Sequence, residues 1–404
     1  MPAFTEDSNI RALSGRRILV LVQGPLEQSP RMAAHVHMLL EAGAAVNLQG
    51  YGAARDFPFT HERLAITALA GSGRNSSRPS SRLPLVGALR HMARMAGDLR
   101  GHLRHAVAGA DLLFVQVPPV APGVALAARA ARRQGIPLVI DWHNLSHAMA
   151  ALKLGPRHPA VAVLRGLESR TGRRASGHLA VTRAMADHLQ ARLDREVTVL
   201  RDRPSGLQQT ASLADNAPPH EPEAGLQWRT LVSPTSWSLD EDMDLLLDAL
   251  RQVTLPPGRG LHVMATGKGP GRADFEKRAA EFERHNLRIE TAWLSHPAYL
   301  ELLARADAGI SLHRSASGLD FPMKIIDMEA ACLPVLALDY GPALREGLDG
   351  LSGAATFTDA AGLARHLEQL LSNDRPRGRV ESRADHWEAA WTRAALPLFQ
   401  RLLS

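Results

Sequence analysis

Two series of short apolar runs alternate with helix-like runs, split by one stretch rich in Pro, Asp, Ser and Asn, and together they restrict what this 404-residue chain can become. The first series comprises Arg17–Val22, Ala44–Tyr51, Asp111–Gln116, Pro137–Trp142, His178–Thr182 and Val197–Leu200, with helix-like runs at Pro30–Glu41 and Gly123–Arg133. The second comprises Arg229–Ser233, Leu261–Thr266, Arg288–Ala292, Ala308–Leu312 and Pro334–Leu338. Strand and helix in turn imply a parallel sheet with helices on both faces, because parallel neighbours need a crossover. The chain is also too long for one hydrophobic core. The expected fold class is α/β, with two Rossmann-like domains. A disordered lead is expected at 1–16, the first domain at 17–205, a linker at 206–228 and the second domain at 229–382. A last helix is expected at 383–404.

Apolar residues at 45% and charged ones at 22% describe an ordinary globular protein. No run of eighteen apolar residues exists, so no membrane span is expected, and the first residues lack the apolar core of a signal peptide. The single Cys332 excludes an internal disulfide, fits a reducing compartment and reads as a packing residue. Charge is uneven. Through Asp215 there are 27 Lys and Arg against 15 Asp and Glu, and the remainder has 20 against 26. The basic half suits an anionic lipid surface or a diphosphate. An aromatic fraction of 4% and the lack of any RNA- or DNA-binding motif argue against nucleic acid.

Ligands of such sheets bind at the carboxyl ends of the strands. After Ala308–Leu312 come a polar loop and a helix expected to start near Phe321, which carries Lys324 and Asp327 three positions apart on one face. A helix start rich in Ser and Gly and bearing a Lys suits a diphosphate, and a carboxylate one turn on can accept from ribose hydroxyls. The same two residues also fit a plain surface ion pair. Gly267-Lys268-Gly269 follows another strand, as a phosphate loop or a simple turn. Only four lysines stand beside 43 arginines, and Lys268 and Lys324 are two of them. Ser236 and Trp237 follow the first strand of the second series, Trp237 as a ligand-facing ring or as core. The acids Asp240, Glu241, Asp242 and Asp244 read as a helix start rather than a metal site, and no His/Cys set has ligand spacing, so neither metal nor cofactor is expected.

Six blocks occur in one order: SPRM at Ser29–Met32, DWHN at Asp141–Asn144, GPRHP at Gly155–Pro159, TSWSLDED at Thr235–Asp242, TGKGP at Thr266–Pro270 and SGLDFPMKIIDM at Ser317–Met328. The set resembles the chitobiosyldiphosphodolichol β-mannosyltransferase family over nearly the whole chain, from about Arg17 to the last helix. The resemblance implies a GT-B fold with parallel sheets facing a central cleft, and a C-terminal helix crossing back to the N-terminal domain. It implies an inverting enzyme that moves mannose from GDP-mannose in β-linkage to a polyprenyl-diphosphate-linked, GlcNAc-type saccharide on the cytoplasmic face of the membrane. The eukaryotic members carry an N-terminal anchor that this chain lacks, which suggests a bacterial relative held peripherally at the membrane. A GT-B enzyme using another nucleotide sugar, or a silent scaffold subunit, are the rival readings.

By the same resemblance the donor would meet Ser236, Trp237, Gly267, Lys268, Gly269, Ser317, Gly318, Leu319, Asp320, Met323, Lys324 and Asp327, with the base near Trp293 and Leu294. In most GT-B enzymes the positions of Asp320 and Asp327 are glutamates. The acceptor would meet Ser29, Arg31 and Asn144, although Arg31 also fits a cap on its own loop. For the general base, histidine takes up protons near neutrality, which favours His143, with Asp141 orienting its loop. Relatives usually carry an Asp where this chain has Pro25, so Glu27 is the second candidate. Finally, Pro84–His105 has the spacing of a basic amphipathic helix, either packed on its own sheet or lying on a membrane.

Overall fold

The computed structural model describes residues 12–26, 29–69, 96–206, 226–282, 284–372, 383 and 386–404. The chain forms two compact units, one of residues 1–201 with 388–404 and one of residues 202–387. The C-terminal residues thus return to the first unit.

In the first unit the elements are β1 (Arg17–Pro25), α1 (Pro30–Glu41), β2 (Ala45–Tyr51), β3 (Leu64–Ala68), α2 (96–106), β4 (Leu112–Val117), α3 (Ala125–Gln134), β5 (Leu138–Trp142), α4 (Ser146–Leu154), α5 (Pro159–Gly172), β6 (Gly177–Ala180), α6 (Arg183–Leu193) and β7 (Thr198–Val199). Seven strands, all parallel, run in the order β3-β2-β1-β4-β5-β6-β7. The central strands are buried on both faces, which is why Ile18 to Val22 and Leu112 to Val115 are unbroken apolar runs. The sequence missed β3, an edge strand whose exposed positions dilute its pattern.

The second unit holds β8 (Gln227–Pro234), α7 (Met243–Gln252), β9 (Arg259–Thr266), α8 (Arg272–Ala279), β10 (Leu287–Ala292), α9 (His296–Arg305), β11 (Ala308–Ser311), α10 (Met323–Ala330), β12 (Val335–Leu338), α11 (Pro342–Leu348), β13 (Ala354–Phe357) and α12 (Ala360–Ser372). Its parallel sheet has the order β10-β9-β8-β11-β12-β13. One face is packed by Leu246, Leu250, Leu363 and Leu367, the other by Ile325, Ile326, Met328 and Leu344. Each such side chain contributes about 2 kcal/mol of burial.

Two sequence expectations shift. β8 starts at Gln227, inside the expected linker, and α10 starts at Met323, after Pro322 in extended backbone. Cys332, just past α10, is half-buried in a left-handed conformation at φ 53° rather than packed away. The last helix is two, α13 (Trp387–Ala394) and α14 (Leu396–Leu403), because Pro397 suits only the first turn of a new helix. Among the described residues, no helix is long and apolar enough to cross a membrane. Of the expected amphipathic helix, 96–105 is helical and the remainder lies outside the described residues.

Candidate active site

In the second sheet the strand order reverses between β8 and β11, and the loops after these two strands meet there. Glu241 and His313 form an isolated antiparallel bridge, and the Asp242 amide donates to the Leu312 carbonyl at 2.9 Å. The Glu241 carboxylate is the hub. Its Oε2 accepts from Thr235 Oγ1 (2.6 Å), the Ser236 amide (2.6 Å), Ser236 Oγ (3.0 Å) and the Trp237 amide (3.0 Å). Its Oε1 faces Lys324 Nζ in an ion pair. Sequence reasoning took Glu241 for a helix-start acid. That role belongs to Asp242, which caps α7 by accepting from the Leu245 amide at 3.0 Å.

Lys324 lies in the first turn of α10, a helix pinned by Ile325, Ile326 and Met328 in the core. Behind it, the buried Glu329 pairs with Arg383, whose Nε donates at 2.7 Å and whose Nη1 donates to the Gly347 carbonyl at 2.7 Å. Burial lowers the Lys324 pKa to about 8, with Asp240 and Asp327 pulling it upward. Asp327 Oδ2 accepts from Tyr299 Oη at 3.2 Å, and burial beside this carboxylate raises the Tyr299 pKa well above its ordinary value. Tyr299 gave no sequence signal, since only folding brings α9 to α10.

Several expected contacts are turned inward. Trp237 is buried against Phe275, so the ring is core and only its amide serves the site. The Ser236 amide and hydroxyl are both committed to Glu241. Asp320 is buried and accepts from His313 Nε2 at 3.0 Å and from Ser315 Oγ. Burial works to raise its pKa, but these partners lower it overall, so it organises its loop. Gly267 and Gly269 fit because the 235–237 backbone passes so close that a Cβ on either would collide with the Thr235 or Ser236 carbonyl. The expected reason was amide access to phosphate; the observed one is loop stacking. Lys268 and Trp293 are exposed, and Leu294, Ser317, Gly318, Leu319 and Met323 are half-buried. The Gly318 amide donates to Ser315 Oγ at 2.7 Å, which shapes the turn ahead of α10.

In the first unit the candidates converge on Asp141, at the carboxyl end of β5. Arg31 Nε and Nη2 donate to its two oxygens at 2.8 and 2.9 Å, and Arg31 Nη1 donates to the Leu200 carbonyl at 3.0 Å. Arg31 is buried, so the acceptor-binding role expected of it is replaced by an internal one. Burial favours a protonated Asp141, but Arg31, His143 and His35 outweigh it and hold the carboxyl well below its ordinary range. With both oxygens engaged by Arg31 and one also by His143, Asp141 organises this cluster. His143 Nε2 donates to it at 2.6 Å, since a carboxylate only accepts, leaving Nδ1 as the acceptor for Gln116 Nε2 at 3.1 Å. Asn144 Oδ1 accepts from the Leu145 amide at 2.7 Å, and Ser29 Oγ donates to the Pro25 carbonyl at 3.0 Å. Glu27 lies outside the described residues.

Residues 33–201 match the model of Glycosyltransferase Family 4, and residues 231–373 that of Glycosyl transferases group 1. The solved structure of Anabaena Alr3699/HepE in complex with UDP and glucose is similar, with a TM-score of 0.58 and 16% identity, covering 96% of this chain and 97% of its own. Fold and family models define a glycosyltransferase with the GT-B fold. The chitobiosyldiphosphodolichol beta-mannosyltransferase of Arthroderma benhamiae is 36% identical over 76% of this chain and 75% of its own. The Homo sapiens protein of the same name is 30% identical over 96% and 93%. The chain belongs to the chitobiosyldiphosphodolichol beta-mannosyltransferase family.

Proposed function

We propose that the protein transfers mannose from GDP-mannose, with inversion, to a polyprenyl-diphosphate-linked saccharide ending in a GlcNAc-type sugar, at the cytoplasmic face of a membrane. The observation that carries this reading is the Lys324–Glu241 pair at the strand-order reversal, with Asp327 one turn further along α10. Lys324 would meet the diphosphate and offset the charge that develops as GDP leaves. Asp327, oriented by Tyr299, would accept from ribose hydroxyls. The backbone at Trp293 and Leu294 would hold the base.

The acceptor hydroxyl oxygen bonds to the anomeric carbon while the bond from that carbon to the donor phosphate breaks, and GDP departs on the opposite face with the electron pair. The hydroxyl proton needs a base, and His143 fits the task. Asp141 fixes its Nε2–H, so Nδ1 presents a lone pair that an acceptor hydroxyl can claim from Gln116. Glu27, two positions after Pro25 in the sequence, is the alternative base.

Labelled GDP-mannose and a short-chain lipid-diphosphate chitobiose test the proposal. Mannosyl product from the wild type is expected, with His143→Ala abolishing turnover at unchanged GDP affinity and Glu27→Gln leaving it near normal. The opposite split moves the base to Glu27. Stronger thermal protection by UDP than by GDP would overturn the donor assignment.

A further inference from the structure

Six large apolar side chains are exposed among the described residues, and four of them, Met149, Leu152, Leu154 and Val163, belong to the adjacent helices α4 and α5. Val163 is 68% exposed. The same hairpin is strongly basic. Lys153, Arg157, Arg165, Arg170, Arg173 and Arg174 are all exposed. The only carboxylate between Ser146 and Arg174 is Glu168, which is buried. It is consumed internally, accepting from the Ser146 amide at 2.5 Å, pairing with His147 and lying 3.6 Å from Arg192. Among the described residues, no exposed carboxylate of this hairpin offsets its positive charge.

The basic surface continues from the apolar residues without a break. A cavity of about 820 Å³ has Val163 on its wall together with Arg170, Arg173 and Arg174. The neighbouring groove is lined by Arg170 and Arg174 of α5 and by Arg129 and Arg132 of α3. A third joins Arg129 and Arg133 to Arg100 and Arg104 of α2. Among the described residues no carboxylate pairs with Arg129, Arg132, Arg133, Arg170 or Arg174. Arg129, followed by burial and by Arg100, Arg104 and Arg132, depresses the Arg133 pKa, as expected of crowded like charges without counter-ions.

We propose that the α3–α4–α5 face docks on an anionic lipid surface, with Leu152, Leu154 and Val163 entering the headgroup layer and the arginines resting on lipid phosphates. Aliphatic side chains ringed by unpaired cations match the interface of a charged bilayer, where apolar burial and charge attraction add. Nucleic acid would reward exposed aromatic rings, and the exposed large apolar residues of this face are all aliphatic. The inference deepens the reading of a lipid-linked acceptor and rests on it. α4 starts directly after the Asp141–Asn144 loop, so Leu154 lies about 13 Å along the helix from that loop. Membrane contact there would hold the acceptor's diphosphate end near the bilayer, with its saccharide extending towards His143.

Co-sedimentation with phosphatidylcholine vesicles, with and without about 30% phosphatidylglycerol, tests the proposal. Binding to the anionic vesicles only is expected, weakening steeply towards about 0.5 M salt. Arg170→Glu with Arg174→Glu, and separately Leu152→Ser with Val163→Ser, should each reduce binding about tenfold. As an independent measurement, Val163→Trp should add an emission band that brominated lipid quenches. Equal binding to neutral vesicles, unchanged binding by both double variants, no quenching at position 163, or binding of single-stranded RNA but not of vesicles would each overturn it. Transfer to a water-soluble, short-chain acceptor should be unaffected by the double variants. Loss of that transfer in the wild type would instead refute the enzymatic reading, while vesicle binding still judges the docking face.

Discussion

The indole N–H of Trp391 donates to Nδ1 of His35 at 3.0 Å, joining α13 to α1 across 356 sequence positions. Because indole only donates, His35 Nδ1 must accept and Nε2 must carry the proton, which then faces Asp141 at 3.3 Å. Trp391 also stacks on Phe399, which meets Phe114 edge-on. The C-terminal helices thereby fix the tautomer of a histidine that touches the Asp141 cluster.

Trp391→Phe keeps an aromatic ring but strands His35 Nδ1 in the core. It should cost about 1–3 kcal/mol, read as a lower urea midpoint. GDP affinity should not change, since Lys324 and Asp327 belong to the other unit.

Lys324→Met should weaken GDP binding at least about tenfold and also destabilise the fold, because it abandons Glu241 with its carboxylate 3% exposed. The loss should be about 2 kcal/mol, moderated by the 27% exposure of the Lys324 side chain. Adding Glu241→Gln should recover much of the stability and none of the affinity. Calorimetric GDP titrations and thermal melts of both variants separate the two effects. Recovered affinity in the double variant would mean Lys324 is only a structural counter-ion.

Acid should loosen the first unit through its buried histidines. Burial lowers the pKa of both His35 and His178 to about 4, from an ordinary 6.5. Between these values the unfolded chain binds protons that the folded one refuses, so stability must fall as pH drops from about 6.5 towards 4. His178→Gln should flatten part of that slope in denaturation curves across this window. An unchanged slope would count against the buried neutral state.

Three glycines should separate by context. Gly267→Ala and Gly269→Ala drive a methyl into the carbonyls of Thr235 and Ser236, and each should cost about 1–3 kcal/mol while disturbing the loop that seats Glu241. Gly318→Ala meets no atom and strains only a backbone at φ 71°, so about 1 kcal/mol is expected. Thermal shifts of the three variants, with GDP present and absent, check the ranking.

The central strands and the helix carrying Lys324 and Asp327 could be read from the sequence because their signals are local: continuous apolar runs, and two charges three positions apart. Glu241 could not, because its carboxylate's pairing with Lys324, 83 positions on, exists only in the fold. Arg31 misled for the same reason. A cation at a helix start resembles a ligand until Asp141, 110 positions on, is seen to claim the Nε–Nη2 edge of its guanidinium, with the Leu200 carbonyl taking Nη1. Edge strands β3 and β13 escaped because half-exposed residues blur their pattern.

The return of residues 388–404 to the first unit also orders events during synthesis. A ribosome must emit every strand of the second sheet before it delivers Trp391 and Phe399. The later half can therefore mature first, whereas the earlier half waits for its final staves with the Phe114 face still bare. A nascent chain stalled before α13 should accordingly expose that surface to chaperones.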